Sequence, residues 1–376
     1  MKILLTGGGS GGHFYPLIAI VEELNAIIDE RRLVTPKYYY MSDDPFDEKT
    51  LFEYNIEFKM IPAGKQRVYF SPKNLPDMFK TAWGTLLAIW KLFLLFPDVV
   101  ICKGGYGSFP TVLAAWILRI PMIVHESDSV PGRVNQFAGK FAKRVGIAYE
   151  EAAGYFPPKN TALVGIPIRR EVAKPVRERA YEYLKLERDV PVILIVGGSQ
   201  GSVMINNVVI DALPELLKKY QIIHQVGVTN VADIKMTLPI VLAKSENAER
   251  YKMFGFLSAV ALSMSAGVAK LVVTRAGSTF IFEIADWGLP SIVIPIPEKI
   301  SRDQHRNAYN YARTGAATLL EQANLTSHIL ISEIDRIMGN PEIQSKMSEH
   351  ARAFARPDAA RKMAEAILDI VLSHEK

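Results

Sequence analysis

Cysteine is almost absent from this chain, and neither sign of charge dominates it. Cys102 is the single cysteine of 376 residues, which excludes an intramolecular disulfide and any multi-cysteine zinc or iron–sulfur site. One thiol behind an apolar strand suits a reducing compartment. Lys and Arg total 44 against 39 Asp and Glu, and an excess of 5 is too small to argue for a nucleic-acid partner. A long hydrophobic run is missing as well. The opening Met1-Lys2-Ile3-Leu4-Leu5-Thr6 stops at glycines without the extended apolar region of a secretory leader, and reads as a first strand. The most apolar window, residues 81–96, holds only Lys91 as a charge and is closed by Pro97-Asp98; it falls short of the ~20 residues of a spanning helix. A segment lying on a membrane surface is compatible with it. What the chain does have is 49% hydrophobic and 22% charged residues, ordinary for a packed globular protein. At ~100–200 residues per domain its length predicts two or three domains.

Strands and helices alternate along it. Lys2–Thr6, 37–41, 98–102 and 121–125 read as strands; 16–30 carries helical periodicity through Leu17, Ile20, Val21 and Leu24, and 111–118 reads as a helix. Such alternation predicts an α/β architecture, a parallel sheet with helices on both faces. The pattern then restarts. The apolar strand Val192–Val196 runs into Gly197-Gly198-Ser199-Gln200-Gly201 and a helix from about Val203. This repeats, 190 residues later, the opening order of strand, Gly7-Gly8-Gly9-Ser10-Gly11-Gly12 and helix. Residues 271–274, 291–295 and 317–320 supply further strands. The reading is two doubly wound, Rossmann-like domains, 1–166 and 167–357, joined near Gly165-Ile166-Pro167-Ile168-Arg169, with a final helix at about 358–376 able to pack back on the first.

A glycine turn between a strand and a helix lets a ligand approach backbone N–H groups, and the helix N-terminus adds partial positive charge, so phosphates bind there. Gly7, Gly9 and Gly12 match G-x-G-x-x-G, which raises a nicotinamide-dependent oxidoreductase as one reading. The acid expected ~20 residues further on is missing, since Asp43 and Asp44 lie about 30 beyond Gly12, and the second glycine turn argues against that reading. Close strand–helix packing without a ligand is the plainer alternative at each turn. His13 follows the first turn at a helix start, where an imidazole stays neutral and can serve as a general base; a capping or packing histidine is the alternative. Gly104-Gly105-Tyr106-Gly107-Ser108 and His125-Glu126-Ser127-Asp128 each follow a strand. All three clusters therefore gather at the carboxyl edge of the first sheet, where such sheets bind ligands. In the second half, Thr274-Arg275-Ala276-Gly277-Ser278-Thr279 ends a strand and opens a helix carrying Glu283. Its hydroxyls and N–H groups suit a pyrophosphate, Arg275 is a candidate charge partner, and Glu283 can accept from ribose hydroxyls. Asp303, Gln304 and Asn307 follow another strand; a solvated helix face is the alternative for Glu283 and Asn307.

Together these motifs resemble the MurG family, bacterial transferases that add N-acetylglucosamine to lipid I and make lipid II for peptidoglycan. The matching stretches are Gly8-Gly9-Ser10-Gly11-Gly12-His13, Gly104-Gly105-Tyr106, Ala114-Ala115-Trp116, His125-Glu126, 197–201, Ala276-Gly277 with Glu283, and Gln304 with Asn307-Ala308. The ordered set covers nearly the whole chain. Three positions depart from the family: Ser127-Asp128 stands where it often has Gln-Asn, Gly165-Ile166-Pro167 where it often has Gly-Asn-Pro, and Asp303 where another glutamine precedes Gln304. The resemblance implies a GT-B fold with two such domains facing a cleft, a UDP-N-acetylglucosamine donor and an undecaprenyl-pyrophosphoryl-muramyl-pentapeptide acceptor. It implies direct displacement at the anomeric carbon by the acceptor C4 hydroxyl, with inversion. His13 is then the first candidate for the base and Glu126 its competitor. Gly104, Gly105, Tyr106, His125 and Asn135 would hold the acceptor. The donor would be met by Ser10, Gly11, Gly12, Asp128, Arg169, Ser199, Gln200, Gly201, Arg275, Ala276, Gly277, Ser278, Thr279 and Asn307. The Leu257 backbone would face the uracil, Glu283 the ribose and Gln304 the sugar. No Asp-x-Asp motif lies beside these elements, so the leaving charge is expected to rest on protein dipoles, with no metal and no cofactor. A transferase of the same architecture acting on another lipid, such as diacylglycerol, is the nearest rival.

Across residues 65–91, Lys65, Arg67, Lys73, Lys80 and Lys91 stand against Asp77, five cations to one acid, a local excess of 4. Trp83, Leu86, Leu87, Trp90, Phe93 and Leu94 form an apolar stripe at helical spacing. With Trp116, the residues Trp83, Leu87, Trp90 and Phe93 are expected to rest on an anionic leaflet, making the protein peripheral to the cytoplasmic face of the plasma membrane. A buried core helix is the alternative.

Overall fold

The computed structural model describes residues 1–65, 74–198, 200–243 and 245–373. The chain divides into two compact units, Met1–Arg169 with Arg356–Lys376, and Arg170–Ala355. The first runs three residues past the boundary read from the sequence and takes the C-terminal helix with it.

Unit 1 holds the strands β1 (Lys2–Thr6), β2 (Lys37–Ser42), β3 (Ile56–Met60), β4 (Val99–Cys102), β5 (Met122–Glu126), β6 (Arg144–Ile147) and β7 (Thr161–Leu163). They form one parallel sheet in the order β3-β2-β1-β4-β5-β6-β7. Alternation along a strand sends successive side chains to opposite faces. Ile3 and Leu5 of β1 accordingly pack with Phe14, Leu17 and Leu24 of the helix Gly11–Arg31. Leu4 faces the other way, into a core with Val100, Val112 and Ala115. The helix Ala359–Ser373 completes the first of these cores through Met363, Ile367, Leu368 and Val371, and Arg361 clasps Glu30 with two bonds of 3.2 and 2.8 Å. The helix Gly11–Arg31 starts directly at the glycine turn, upstream of the predicted start, with Pro16 inside it. A proline there gives up one i→i−4 bond. The apolar face on either side of it, from Phe14 to Leu24, is fully buried and holds the helix regardless.

Unit 2 repeats the plan with β8 (Val192–Val196), β9 (Gln221–Gln225), β10 (Tyr251–Phe254), β11 (Ala269–Thr274), β12 (Ser291–Val293) and β13 (Ala317–Leu319), all parallel, in the order β10-β9-β8-β11-β12-β13. Ile193 and Ile195 pack on Val209 and Leu213 of the helix Val203–Leu216. In each sheet the strand order reverses beside the first strand, between β1 and β4 and between β8 and β11. Loops leaving the two neighbours diverge there and open a crevice at the carboxyl ends of the strands. Both glycine turns stand at these switch points.

Candidate active site

In unit 1 the loops after β1 and β4 are pressed together. The amide of Gly8 donates to Gly104 O at 3.1 Å, and a side chain at Gly105 (φ 83°) would run into the Gly8 backbone, so glycine is required at that contact. Tyr106 closes over the turn, its ring standing 3.3 Å from where a Cβ on Gly9 would be. Burial, then the neighbouring Asp43 carboxylate that its hydroxyl bonds, raises the pKa of Tyr106 and keeps the phenol protonated. No side chain caps the helix start at Ser10; the Ser10 hydroxyl instead meets His13 Nδ1 at 2.9 Å. With Nδ1 engaged, Nε2 is the ring atom left for a ligand. Burial, with the Lys103 charge added, pushes the half-buried His13 down to about 4 against the partial opposition of Asp128, so the imidazole is neutral at pH 7.

Behind His13 lies a buried polar layer. Glu126 is 3% exposed and its carboxylate is fully engaged: Oε1 accepts from the Asp128 amide at 2.9 Å, and Oε2 from the Gly132 amide at 3.2 Å and Asn135 Nδ2 at 2.9 Å. Burial and the Asp128 charge raise its pKa well above the usual carboxylate range, although its donors and Lys103 pull the other way. His125 is fully buried and pairs through Nε2 with Gly165 O at 2.7 Å; burial drives its pKa well below the usual value, so it donates there as a neutral ring. Asn135 bridges His125 O at 3.2 Å and Glu126, and its oxygen accepts from Cys102 Sγ at 3.5 Å. His125 and Asn135, expected to touch an acceptor, are therefore braces beneath the surface. Strand β5 turns the His125 ring inward, Asn135 lies on the buried side of the helix Arg133–Gly139, and alternation along β5 was not enough to show either. Gly11 lies beside the Tyr15 and Phe46 rings, and the Arg169 guanidinium stacks on Tyr15 at 3.9 Å from its centroid.

In unit 2 a cavity of about 210 Å³ is lined by Gly197, Gly198, Gly201, Ser202, Thr274, Arg275, Gly277, Phe280, Ile296 and Gln304. Phe280 and Ile296 were not singled out from the sequence. Ser199 lies outside the described residues, as do Arg67 and Lys73 of the basic segment. Gly198 and Gly201 take φ of 94° and 74°, and Gln200 is exposed at the turn between them. Gln225, another residue missed, fixes this turn: Nε2 donates to Gly198 O at 2.9 Å while Oε1 accepts the Leu257 amide at 2.8 Å. The Leu257 N–H is thereby used within the protein. Arg275 is held by Ser202 Oγ at 2.6 Å, Gln322 Oε1 at 2.7 Å and the Ile294 and Pro295 carbonyls at 3.2 Å, which makes it an anchor of the loop wall. The helix Ser278–Trp287 begins at Gly277 without a side-chain cap, beside the buried Ala276 and the half-buried Thr279 and Glu283. Asn307 is fully buried, bonded to Ser278 Oγ at 2.8 Å, and is no solvated helix face. The buried amide oxygen of Gln304 has no partner among the described residues. Among the described residues no three His, Cys, Asp or Glu side chains group as a metal nest would.

The apolar stripe belongs to the helix Asn74–Leu95, longer than the apolar window in the sequence; Leu75–Leu95, 21 residues of mean hydropathy 1.3, has the length and composition to cross a membrane. It packs along unit 1, with Ala88 and Leu92 fully buried and Leu87 half-buried on the core side. Trp83, Trp90 and Phe93 point outward, 59–64% exposed, and Leu86, Leu94 and Phe79 share that face. Trp116 stacks on Phe141 at 5.1 Å, both partly exposed.

Two doubly wound units, each with a glycine turn at its switch point, form the GT-B glycosyltransferase architecture. Residues 3–147 match the glycosyltransferase family 28 N-terminal domain and residues 192–363 the glycosyltransferase family 28 C-terminal domain. A UDP-N-acetylglucosamine–N-acetylmuramyl-(pentapeptide) pyrophosphoryl-undecaprenol N-acetylglucosamine transferase of Bacillus thuringiensis (strain Al Hakam) is 37% identical over 91% of this chain and 92% of its own length. The Pediococcus pentosaceus enzyme of the same name is 32% identical over 98% of this chain and 99% of its own. The crystal structure of Acinetobacter baumannii MurG superposes with a TM-score of 0.73 at 25% identity, covering 98% of this chain and 99% of that one. A UDP-GlcNAc 2-epimerase from Neisseria meningitidis bound to UDP-GlcNAc shares the fold, with a TM-score of 0.68 at 13% identity over 98% of this chain and all of its own. The chain belongs to the MurG family of N-acetylglucosamine transferases.

Proposed function

We propose that this protein transfers N-acetylglucosamine from UDP-N-acetylglucosamine to the muramyl C4 hydroxyl of lipid I, with inversion, forming lipid II for peptidoglycan. The observation that carries this reading is the match of both units, over nearly the full length, to transferases of that name.

The geometry supports a division of labour. In unit 2 the glycine turn and the helix start at Gly277 offer backbone N–H groups and dipole to the diphosphate. Glu283 would accept from the ribose, the Leu257 carbonyl from the uracil, and the unpartnered Gln304 oxygen from a sugar hydroxyl. In unit 1 the acceptor hydroxyl would lie against His13 Nε2. As its oxygen bonds to the anomeric carbon, the bond from that carbon to the UDP oxygen breaks, the hydroxyl proton passes to His13, and UDP departs with the electron pair. His13 suits this part because it is neutral and reachable, whereas the Glu126 carboxylate is enclosed by three N–H donors. Leaving-group charge would rest on protein dipoles, with neither metal nor cofactor. The outward aromatic face of the helix Asn74–Leu95 supports a peripheral position on the cytoplasmic leaflet, where a lipid-linked acceptor resides.

The test is transfer of radiolabel from UDP-N-acetylglucosamine to a short-chain lipid I analogue. Label in a disaccharide product supports the reading. Label reaching only diacylglycerol, or donor binding with no turnover, overturns it.

A further inference from the structure

That mechanism leaves one buried charge without a task. Lys103, the residue after β4, is 1% exposed, its stem packed so closely under the first glycine turn that a Cβ on Gly7 would stand 3.3 Å from Lys103 Cβ. Its amide donates to Thr6 O at 2.9 Å, and its ammonium donates to the Ser127 hydroxyl. Through its backbone and its side chain together, Lys103 thus joins the turn after β1, the loop after β4 and the loop after β5. A lone buried ammonium is costly and persists where opposite charge and acceptors surround it. Here Glu126 on β5 and Asp128 on the following loop supply that charge. His13 faces it from the helix Gly11–Arg31 and the buried neutral His125 from β5, and Cys102 on β4 is a thiol pushed up to about 11 by burial and so uncharged. Burial lowers Lys103 itself to about 8, with Glu126 and Asp128 holding it up, so it is mostly cationic at pH 7.

We propose that Lys103 is a positioning residue for the transfer step: its buried ammonium ties the loop Ser127–Asp128 to the first glycine turn and sets the charge felt by the proton acceptor beside it. The proposal rests on the reading of His13, with Glu126 its enclosed neighbour, as the site of that acceptor. A positive charge disfavours protonation of both groups, so its removal raises the pKa of either. The predicted sign is therefore the same whichever of the two governs the rate.

The experiment is the pH dependence of kcat/KM for the full chain with UDP-N-acetylglucosamine and the lipid I analogue, comparing wild type, K103M and K103Q. The neutral variants are expected to move the acidic limb upward by about one pH unit and to lower kcat, with KM for the donor nearly unchanged. K103Q keeps a hydrogen-bond donor for Ser127 without the charge, so it should show the same limb shift with a smaller loss of kcat, and it carries the test if K103M does not fold. A loss of kcat with the limb unmoved in both variants would mean a purely structural lysine and overturn the proposal. NMR titration of the His13 ring needs no turnover and separates this proposal from the assigned reaction: an unchanged His13 pKa in the folded variants overturns it even if wild type proves inactive on lipid I.

Discussion

Each unit places a cation directly after the strand that flanks its glycine turn, Lys103 after β4 and Arg275 after β11, and the two are surrounded by different chemistry. Lys103 faces two imidazoles and two carboxylates. Arg275 faces a serine hydroxyl, a glutamine amide and two backbone carbonyls, none of which titrates. One fold thus serves two ends. In unit 1 the switch point collects groups that exchange protons; in unit 2 it collects fixed dipoles, suited to holding a charge that is already there. A shared sheet order decides where a site lies, and the residues at the strand ends decide what it does.

The sharpest way to break this comparison is His13→Ala. If proton transfer belongs to unit 1 and donor binding to unit 2, kcat falls by about 10²–10⁴-fold while UDP affinity, measured by calorimetry, is unchanged. Near-normal turnover with intact donor binding would reject the base role. The next largest effect concerns stability. His224 on β9 is fully buried, bonded through Nδ1 to the Tyr251 hydroxyl at 3.0 Å, and burial lowers its pKa to about 3. Its folded-state pKa is depressed, so the stability it contributes is full above its unfolded value near 6.5 and erodes as pH falls from there toward 3. Unit 2 should lose roughly 2–3 kcal/mol between pH 6.5 and 4 from this group. Trp287, buried with Nε1 on Val172 O at 2.8 Å, is the single tryptophan of unit 2. Its fluorescence in urea melts of a W83F/W90F/W116F background reads that unit alone. Adding His224→Phe should flatten the pH dependence, and an unaltered slope would show that the ring does not set it.

Smaller again is the effect expected at the aromatic face of unit 1. Replacing Trp83 and Phe93 by serine should lower partition onto anionic vesicles at least tenfold, since withdrawing even one such aromatic from the leaflet forfeits about 1.5–3 kcal/mol, with soluble-substrate turnover preserved. Unchanged sedimentation with vesicles would remove the leaflet from the proposal.

Much of this arrangement was legible in the chain. Periodicity found the central strands β1, β4, β5, β8 and β11, because strands buried on both faces read as continuous apolar runs. It missed β3, β6, β7, β9 and β10, which lie toward the sheet margins, where Ile56–Met60 mixes charge with apolar residues and Gln221–Gln225 carries a buried His and two Gln. The glycine turns and the residues at strand ends were readable because special backbone geometry leaves a mark in sequence. Which end residues face a ligand was not. Lys103 passed unnoticed beside the conspicuous Gly104-Gly105, and His125 and Asn135 looked like binding groups because a side chain's type does not say which way its packed strand or helix turns it. Gln225 gave no signal at all, being one of three polar residues in a strand that is buried throughout.

That residue gives the finest test of the comparison. Gln225 in unit 2 does what Asn135 does in unit 1: a buried amide ties one strand-end loop to the next, here Gly198 O to the Leu257 amide. If unit 2 works by fixed dipoles alone, loosening the tie should affect only how well the donor is held. Gln225→Ala removes two hydrogen bonds and leaves the Leu257 N–H and Gly198 carbonyl to find new partners, a loss of about 1–2 kcal/mol. UDP affinity should fall about tenfold, kcat at saturating donor should stay within about twofold, and the pH profile should not move, because no titrating group has been touched. A shifted pH limb in this variant, or an altered KM for the acceptor alone, would mean that the two switch points do not divide the work as their side chains indicate.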